Sequence, residues 1–219
     1  MWLRLAVTAA ATITMMPAQT WEVSPFAGYL RLSKKPIGSV NSTSPKADDT
    51  KLSGRQPVYG LRATWNTKGY YGIEGAYSRS KARIDAKIVP LTSTTSDTVP
   101  EFGRVWINQI FVNGMAYMMP GGERFRPYIT AGAQLQIYST PPLPDWTLGR
   151  GPRAIGFNYG GGIKIRLFKH AQVRFDVRDI WGPSPYDLSF PTDFSSSSGT
   201  GSGGRFRQLE GTMGLGITF

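Results

Sequence analysis

The sequence predicts an all-β chain, folded as an eight-stranded antiparallel up-and-down transmembrane β-barrel. Three observations carry this expectation. Apolar side chains recur at every second position in eight separate segments, which is the period of a strand and not of a helix. The joins between those segments alternate long, short, long, short, long, short, long, so both termini fall at the barrel end that bears the short turns. In the cleanest segments the alternate face is polar or charged, which inverts the pattern of a soluble lipid-binding barrel and suits a wall with lipid outside and a crowded interior.

The start of the chain points to export. Met1 to Ala18 opens with a cationic residue, Arg4, continues through an apolar run from Leu5 to Met16, and ends on a small residue suited to cleavage; residues 1–18 are expected to be a secretory signal peptide. Residues 19–219 then form one barrel domain. No later stretch approaches the 18 to 20 continuous apolar residues of a membrane helix, so a mature chain that enters a membrane must do so as a closed sheet. There is no cysteine, which excludes a lipoprotein anchor, a disulfide framework and thiolate metal sites. The formal net charge is +11. Because the chain is exported and its charges are spread along strands and loops, nucleic acid is not an expected partner; anionic lipid headgroups and the phosphates of lipopolysaccharide are.

The first strand spans Trp21 to Leu32, with Val23, Pro25, Ala27 and Tyr29 opposed to Glu22, Ser24, Phe26 and Gly28. A polar stretch to Gln56 reads as a long loop. The second strand, Val58 to Asn66, sets Tyr59, Leu61, Ala63 and Trp65 outward, and Thr67-Lys68-Gly69 makes a tight join to the third, Tyr70 to Arg79. Its continuation to Val99 reads as a second long loop. The fourth, Val105 to Met118, ends at the turn signal Pro120-Gly121-Gly122-Glu123. The fifth, Tyr128 to Tyr138, opposes Ile129, Ala131, Ala133, Leu135 and Ile137 to Thr130, Gly132, Gln134 and Gln136. After a proline-rich loop, the sixth (Ile155 to Leu167) and seventh (Ala171 to Ile180) are joined by Phe168-Lys169-His170. A fourth loop ends in the Ser/Gly-rich run from Ser195 to Gly204, read as flexible, before the eighth strand closes the chain at Phe219. Trp21, Trp65, Tyr70, Tyr71 and Phe219 are expected at the periplasmic interface, and Trp106, Tyr138 and Trp181 at the opposite one.

The inward positions gather Glu22, Arg62, Glu74, Lys164, Arg166, Arg174, Asp176, Arg178 and Glu210. Eight strands enclose a lumen only wide enough for side chains, so these groups are expected to pair and fill it as a structural ionic network. Asp176, between Arg174 and Arg178 at two-residue spacing, is expected to be held by two cations, with Glu210 nearby on the next strand. The alternative is a narrow porin-like track for ions or small solutes. Enzymatic chemistry finds little support. The single histidine, His170, lies in a short turn, away from the membrane-level position that a Ser-His-acid lipid deacylase needs, and an outer-membrane lipid-modifying enzyme is the least favoured reading. Asp48-Asp49 lacks the pattern of a calcium loop, Gly160-Gly161-Gly162 lies within a strand rather than before a helix, and no cluster has metal-ligand spacing. No cofactor or metal is expected.

Several segments resemble the small eight-stranded outer-membrane β-barrel family of the outer-membrane protein A transmembrane-domain type. They are Glu22 to Tyr29, Pro127 to Gly132, Gly156 to Arg166, Val173 to Arg178, and the terminal Gly214 to Phe219. The resemblance covers essentially all of the mature chain. It implies a monomer in the outer membrane of a Gram-negative-type bacterium, and it implies that Phe219 is similar to the terminal signal read by the barrel-assembly machinery. Unlike two-domain members, the sequence adds nothing after the barrel, so a peptidoglycan-binding role is not implied. The expected function is a structural or surface-interaction role with a plugged lumen.

Overall fold

The computed structural model describes residues 19–33, 38–41, 46–89, 97–139, 153–183, 198–201 and 205–219, so the expected signal peptide, residues 1–18, lies outside them. Eleven strands follow in order: β1 (Gln19–Leu32), β2 (Gly38–Asn41), β3 (Lys46–Ser53), β4 (Arg55–Thr67), β5 (Tyr71–Val89), β6 (Asp97–Tyr117), β7 (Phe125–Tyr138), β8 (Arg153–Arg166), β9 (Ala171–Pro183), β10 (Ser198–Gly201) and β11 (Arg205–Thr218). Eight of them, β1, β4, β5, β6, β7, β8, β9 and β11, pair antiparallel in that cycle and close through β1 against β11, so the wall has no free edge. At the seam Val23 pairs with Ile217 and Tyr29 with Gly211. The eight-stranded up-and-down barrel read from the sequence is the fold.

Alternation along each strand decides which side chains enter the lumen. On β4, Tyr59, Leu61 and Ala63 are exposed on the wall while Val58, Arg62 and Thr64 are buried. The aliphatic and aromatic band that results, with Tyr29, Ile73, Val112, Ile129, Ile155, Val177, Met213 and Leu215 all exposed, is the surface that lipid covers in such a barrel. Trp21 and Trp65 face each other at the short-turn end. At the other end Trp181 stacks on Phe157 with ring centroids 6.3 Å apart, and Arg79 lies 4.1 Å above the Trp106 ring.

Three expectations are corrected. The segment from Ser80 to Val89 is strand, not loop: β5 has 19 residues and β6 has 21, and they stay paired from Tyr71↔Ala116 out to Ile88↔Asp97. Lys81, Arg83 and Asp85 alternate with Ala82 and Ile84, both fully buried. That is a period-two pattern, but with charge on its outer face it fails a template that asks for lipid-facing apolar residues. The polar stretches also carry structure. β3 pairs with the outer half of β5, β2 with β3, and β10, within the Ser/Gly-rich run, with β2. Such residues have little strand preference of their own; an available strand edge decides. Finally, Tyr138 does not join an aromatic rim. It shares its parity with Gln136, is buried, and donates to Gln136 Oε1 at 2.6 Å.

Candidate functional site

The lumen is built in layers. Near the short turns Lys164 on β8 is ion-paired with Glu22 on β1, donates to Tyr117 Oη at 3.0 Å, and stands 3.5 Å from Asn66 Oδ1. Tyr117 in turn donates to Asn66. Arg126 caps this layer: its guanidinium lies 3.5 Å from the Tyr117 ring centroid and donates to the carbonyls of Met119, at 3.2 Å, and Gly69, at 2.7 Å. It thereby ties two neighbouring turns together.

Above it lies the main charge cluster. Arg174 Nη1 is 2.5 Å from Glu74 Oε2, and its Nη2 is 2.9 Å from Asp176 Oδ1. Arg62 Nη1 is 2.5 Å from Asp176 Oδ2, its Nη2 donates to Thr212 Oγ1 at 2.6 Å, and its plane rests 3.9 Å from the Phe26 ring centroid. Arg178 is ion-paired with Glu74 and lies 3.6 Å from Asp176 Oδ1. Tyr128 donates to Asp176 and accepts from Arg174 Nε at 2.6 Å. The buried lumen set holds five cations, Arg62, Arg126, Lys164, Arg174 and Arg178, and four carboxylates, Glu22, Glu74, Asp176 and Glu210, so most of its charge is balanced within the lumen. Without such pairing, several charges in one low-dielectric space would each carry a penalty of several kcal/mol.

Of the inward set read from the sequence, the structure brings together Glu22, Arg62, Glu74, Lys164, Arg174, Asp176, Arg178 and Glu210. Asp176 is held by both strand neighbours, Arg174 and, at 3.6 Å, Arg178, and also by Arg62 from across the barrel, and Glu210 reaches Arg62 at 4.0 Å. Arg166 does not join. It is only half-buried and lines a cavity of about 360 Å³ at the short-turn end, together with Glu22, Arg126, Lys164 and Lys169. It lies two residues nearer the strand end than Lys164, where the lumen opens to solvent. Tyr117 and Tyr128, which pair across β6 and β7 with centroids 5.7 Å apart, were not singled out from the sequence, although their inward parity was a legible signal. Gly162 makes room for Tyr128, since a Cβ there would collide with the phenol ring.

The outer lumen changes character. Gln109 donates to Gln208 Oε1 at 2.9 Å and Gln208 to Tyr138 Oη at 3.2 Å, and around and beyond them the interior is mainly apolar, with Gln56 and Ser80 also buried there. Leu30, Leu52, Ile84, Val105, Ile107 and Ile180 are all fully buried there. The sequence reading missed this collar because it stressed the charged inward positions, although Leu30, Val58 and Ile107 occupy the same parity.

A closed eight-stranded wall with an exposed apolar band and a polar lumen is the architecture of small outer-membrane barrels. In sequence, residues 6–206 match the outer membrane protein beta-barrel domain family. The chain belongs to that family. Among solved structures this outer-membrane barrel is similar to the outer membrane protein OprG from Pseudomonas aeruginosa, with TM-score 0.58 and 14% identity over 90% of this chain and 95% of that one. It is also similar to the outer membrane protein AlkL in lipid bilayers, with TM-score 0.56 and 12% identity over 94% and 93% of the two chains. Neisserial surface protein A follows with TM-score 0.50 and 11% identity over 91% and 97%. At such identities the likeness is one of fold. No curated protein matches the chain.

Proposed function

We propose that this barrel has a structural or surface-interaction role in the outer membrane of a Gram-negative-type bacterium, and that it is neither an open pore nor an enzyme. The sealed, two-layer lumen carries this reading. An ionic layer fills the membrane-level interior, a packed apolar collar lies beyond it, and both consist of buried side chains. The part that reaches outward is a sheet: the outer halves of β5 and β6 with β3, β2 and β10 stacked beside them, suited to contact at the cell surface. His170 supports no catalysis here. It is exposed in a turn with Nδ1 3.0 Å from the Thr218 carbonyl, and the described residues hold no group of histidines and carboxylates able to bind a metal. The barrel works as a monomer among lipid and lipopolysaccharide, delivered by a signal peptide and the barrel-assembly machinery.

A narrow conduction path is the second reading. Both carboxylate oxygens of Glu210, the Nε atoms of Arg62 and Arg178, and the Gln134 amide are buried without a hydrogen-bond partner among the described residues. Such atoms draw solvent. Recordings in planar lipid bilayers separate the two. The plugged barrel gives no large, stable conductance, and a steady open level from the unaltered chain would reject it. Replacing both Arg174 and Asp176 with alanine should create a leak through the ionic layer.

A further inference from the structure

On the outer wall, β1 and β4 place Arg31 directly opposite Arg55, both exposed and on the same face. Like charges directly opposed across a strand pair are destabilising. Neither has a carboxylate partner among the described residues. On the other side of β1, Arg31 pairs with Leu209 of β11, and Arg207 stands one step further out, 2.7 Å from Asp179 Oδ2. Between Arg31 and Arg207 the surface holds a groove of about 300 Å³ with Leu209 in its floor. Arg31 and Arg207 flank this recess and Arg55 stands beside Arg31 on the next strand, while Arg207 already holds Asp179 through Nε and Nη2.

The height of this cluster is informative. From Trp21, at the short-turn end, to Arg31, β1 climbs about 33 Å, which at a tilt near 40° is roughly 25 Å along the membrane normal. That is about the height of the apolar band of an outer-membrane barrel. Below the arginines the same face carries Tyr29 and Tyr59, and Leu209 stands level with Arg31, all three exposed. A ligand that fits has an anionic head with paired oxygens at the level of the arginines and hydrocarbon beneath. Phosphate meets the first need, because a guanidinium grips it with two parallel hydrogen bonds, and one phosphate bridging Arg31 and Arg55 converts their repulsion into shared attraction.

We propose that the β4–β1–β11 face is a specific seat for a phosphorylated outer-leaflet lipid, with the phosphate held by Arg31 and Arg55, flanked by the Asp179-paired Arg207, and the acyl chains lying on Tyr29, Tyr59 and Leu209. The seat deepens the surface role proposed above and presupposes it. The test uses the chain in phosphatidylcholine nanodiscs doped with diphosphoryl lipid A, with bound lipid counted by native mass spectrometry. Retention should fall about tenfold or more in Arg31→Gln/Arg55→Gln, since each lost charge-assisted contact is worth a comparable factor. Arg124→Gln, at the opposite end of the barrel, should retain lipid as the unaltered chain does. Equal retention by the double variant, equal retention of dephosphorylated lipid A, or displacement by millimolar inorganic phosphate would each overturn the seat. None of these readouts depends on conductance, so the plugged lumen stands or falls separately.

Discussion

Arg174 and Glu74 meet across the barrel lumen, 2.5 Å apart and both fully buried, although they lie on opposite arcs of the wall. Glu74 also receives Arg178, so one carboxylate from β5 anchors two guanidiniums from β9. Removing that carboxylate leaves two cations with only Asp176 between them. Glu74→Gln is expected to destabilise the barrel by about 3–5 kcal/mol, read as a lowered urea midpoint for unfolding from detergent micelles. Adding Arg178→Gln should recover part of the loss; strictly additive effects would mean the pair is not coupled.

Packing around the tyrosine wedge gives a second expectation. A Cβ at Gly162 collides with the Phe175 carbonyl and the Tyr128 phenol, whereas one at Gly211, on the lipid face, meets nothing within 4 Å. Gly162→Val should push Tyr128 away from Asp176 and cost about 1–3 kcal/mol. Gly211→Ala should stay within about 0.5 kcal/mol of the parent. Equal effects at the two glycines would show that Tyr128 is not confined as described.

The collar should be separable from the membrane-level wall. Ile84→Asp buries an unpaired charge among Leu52, Val105 and Ile107, where nothing balances it. The outer sheet should then loosen and be cut by protease at low concentration, while the barrel below keeps the mobility shift between boiled and unboiled samples on an SDS gel. Loss of that shift would mean that the two layers fold as one unit.

Phe219 lies at the seam, where its amide donates to the Trp21 carbonyl at 2.8 Å and its ring is exposed. Deleting it removes one hydrogen bond beyond the last strand pair, a small change for the finished barrel. The assembled fraction in cells is expected to fall several-fold while refolding of the purified chain into detergent is preserved. Normal insertion without Phe219 would rule out its part in targeting.

Much of this was written locally. Parity assigned Glu22, Arg62, Glu74, Lys164, Arg174, Asp176, Arg178 and Glu210 to the interior, and the alternating long and short joins gave the barrel its order. Parity also held Tyr117, Tyr128 and Tyr138, which a closer count would have placed inside. Arg166 has the right parity and the wrong height, because alternation says which way a side chain points and not how far along the lumen it stands.

The sequence by itself determined the strand period, the two faces and the order of the wall, since each follows from residues a few positions apart. Only closure of the sheet decided that Asp176 is gripped by Arg62, 114 residues away, as well as by its own strand neighbour Arg174. Strand stagger and the curvature of the wall set which inward groups share a level, and neither can be read from any one strand. The outer sheet likewise formed where long strands offered edges, drawing polar segments with little strand preference of their own into regular pairing.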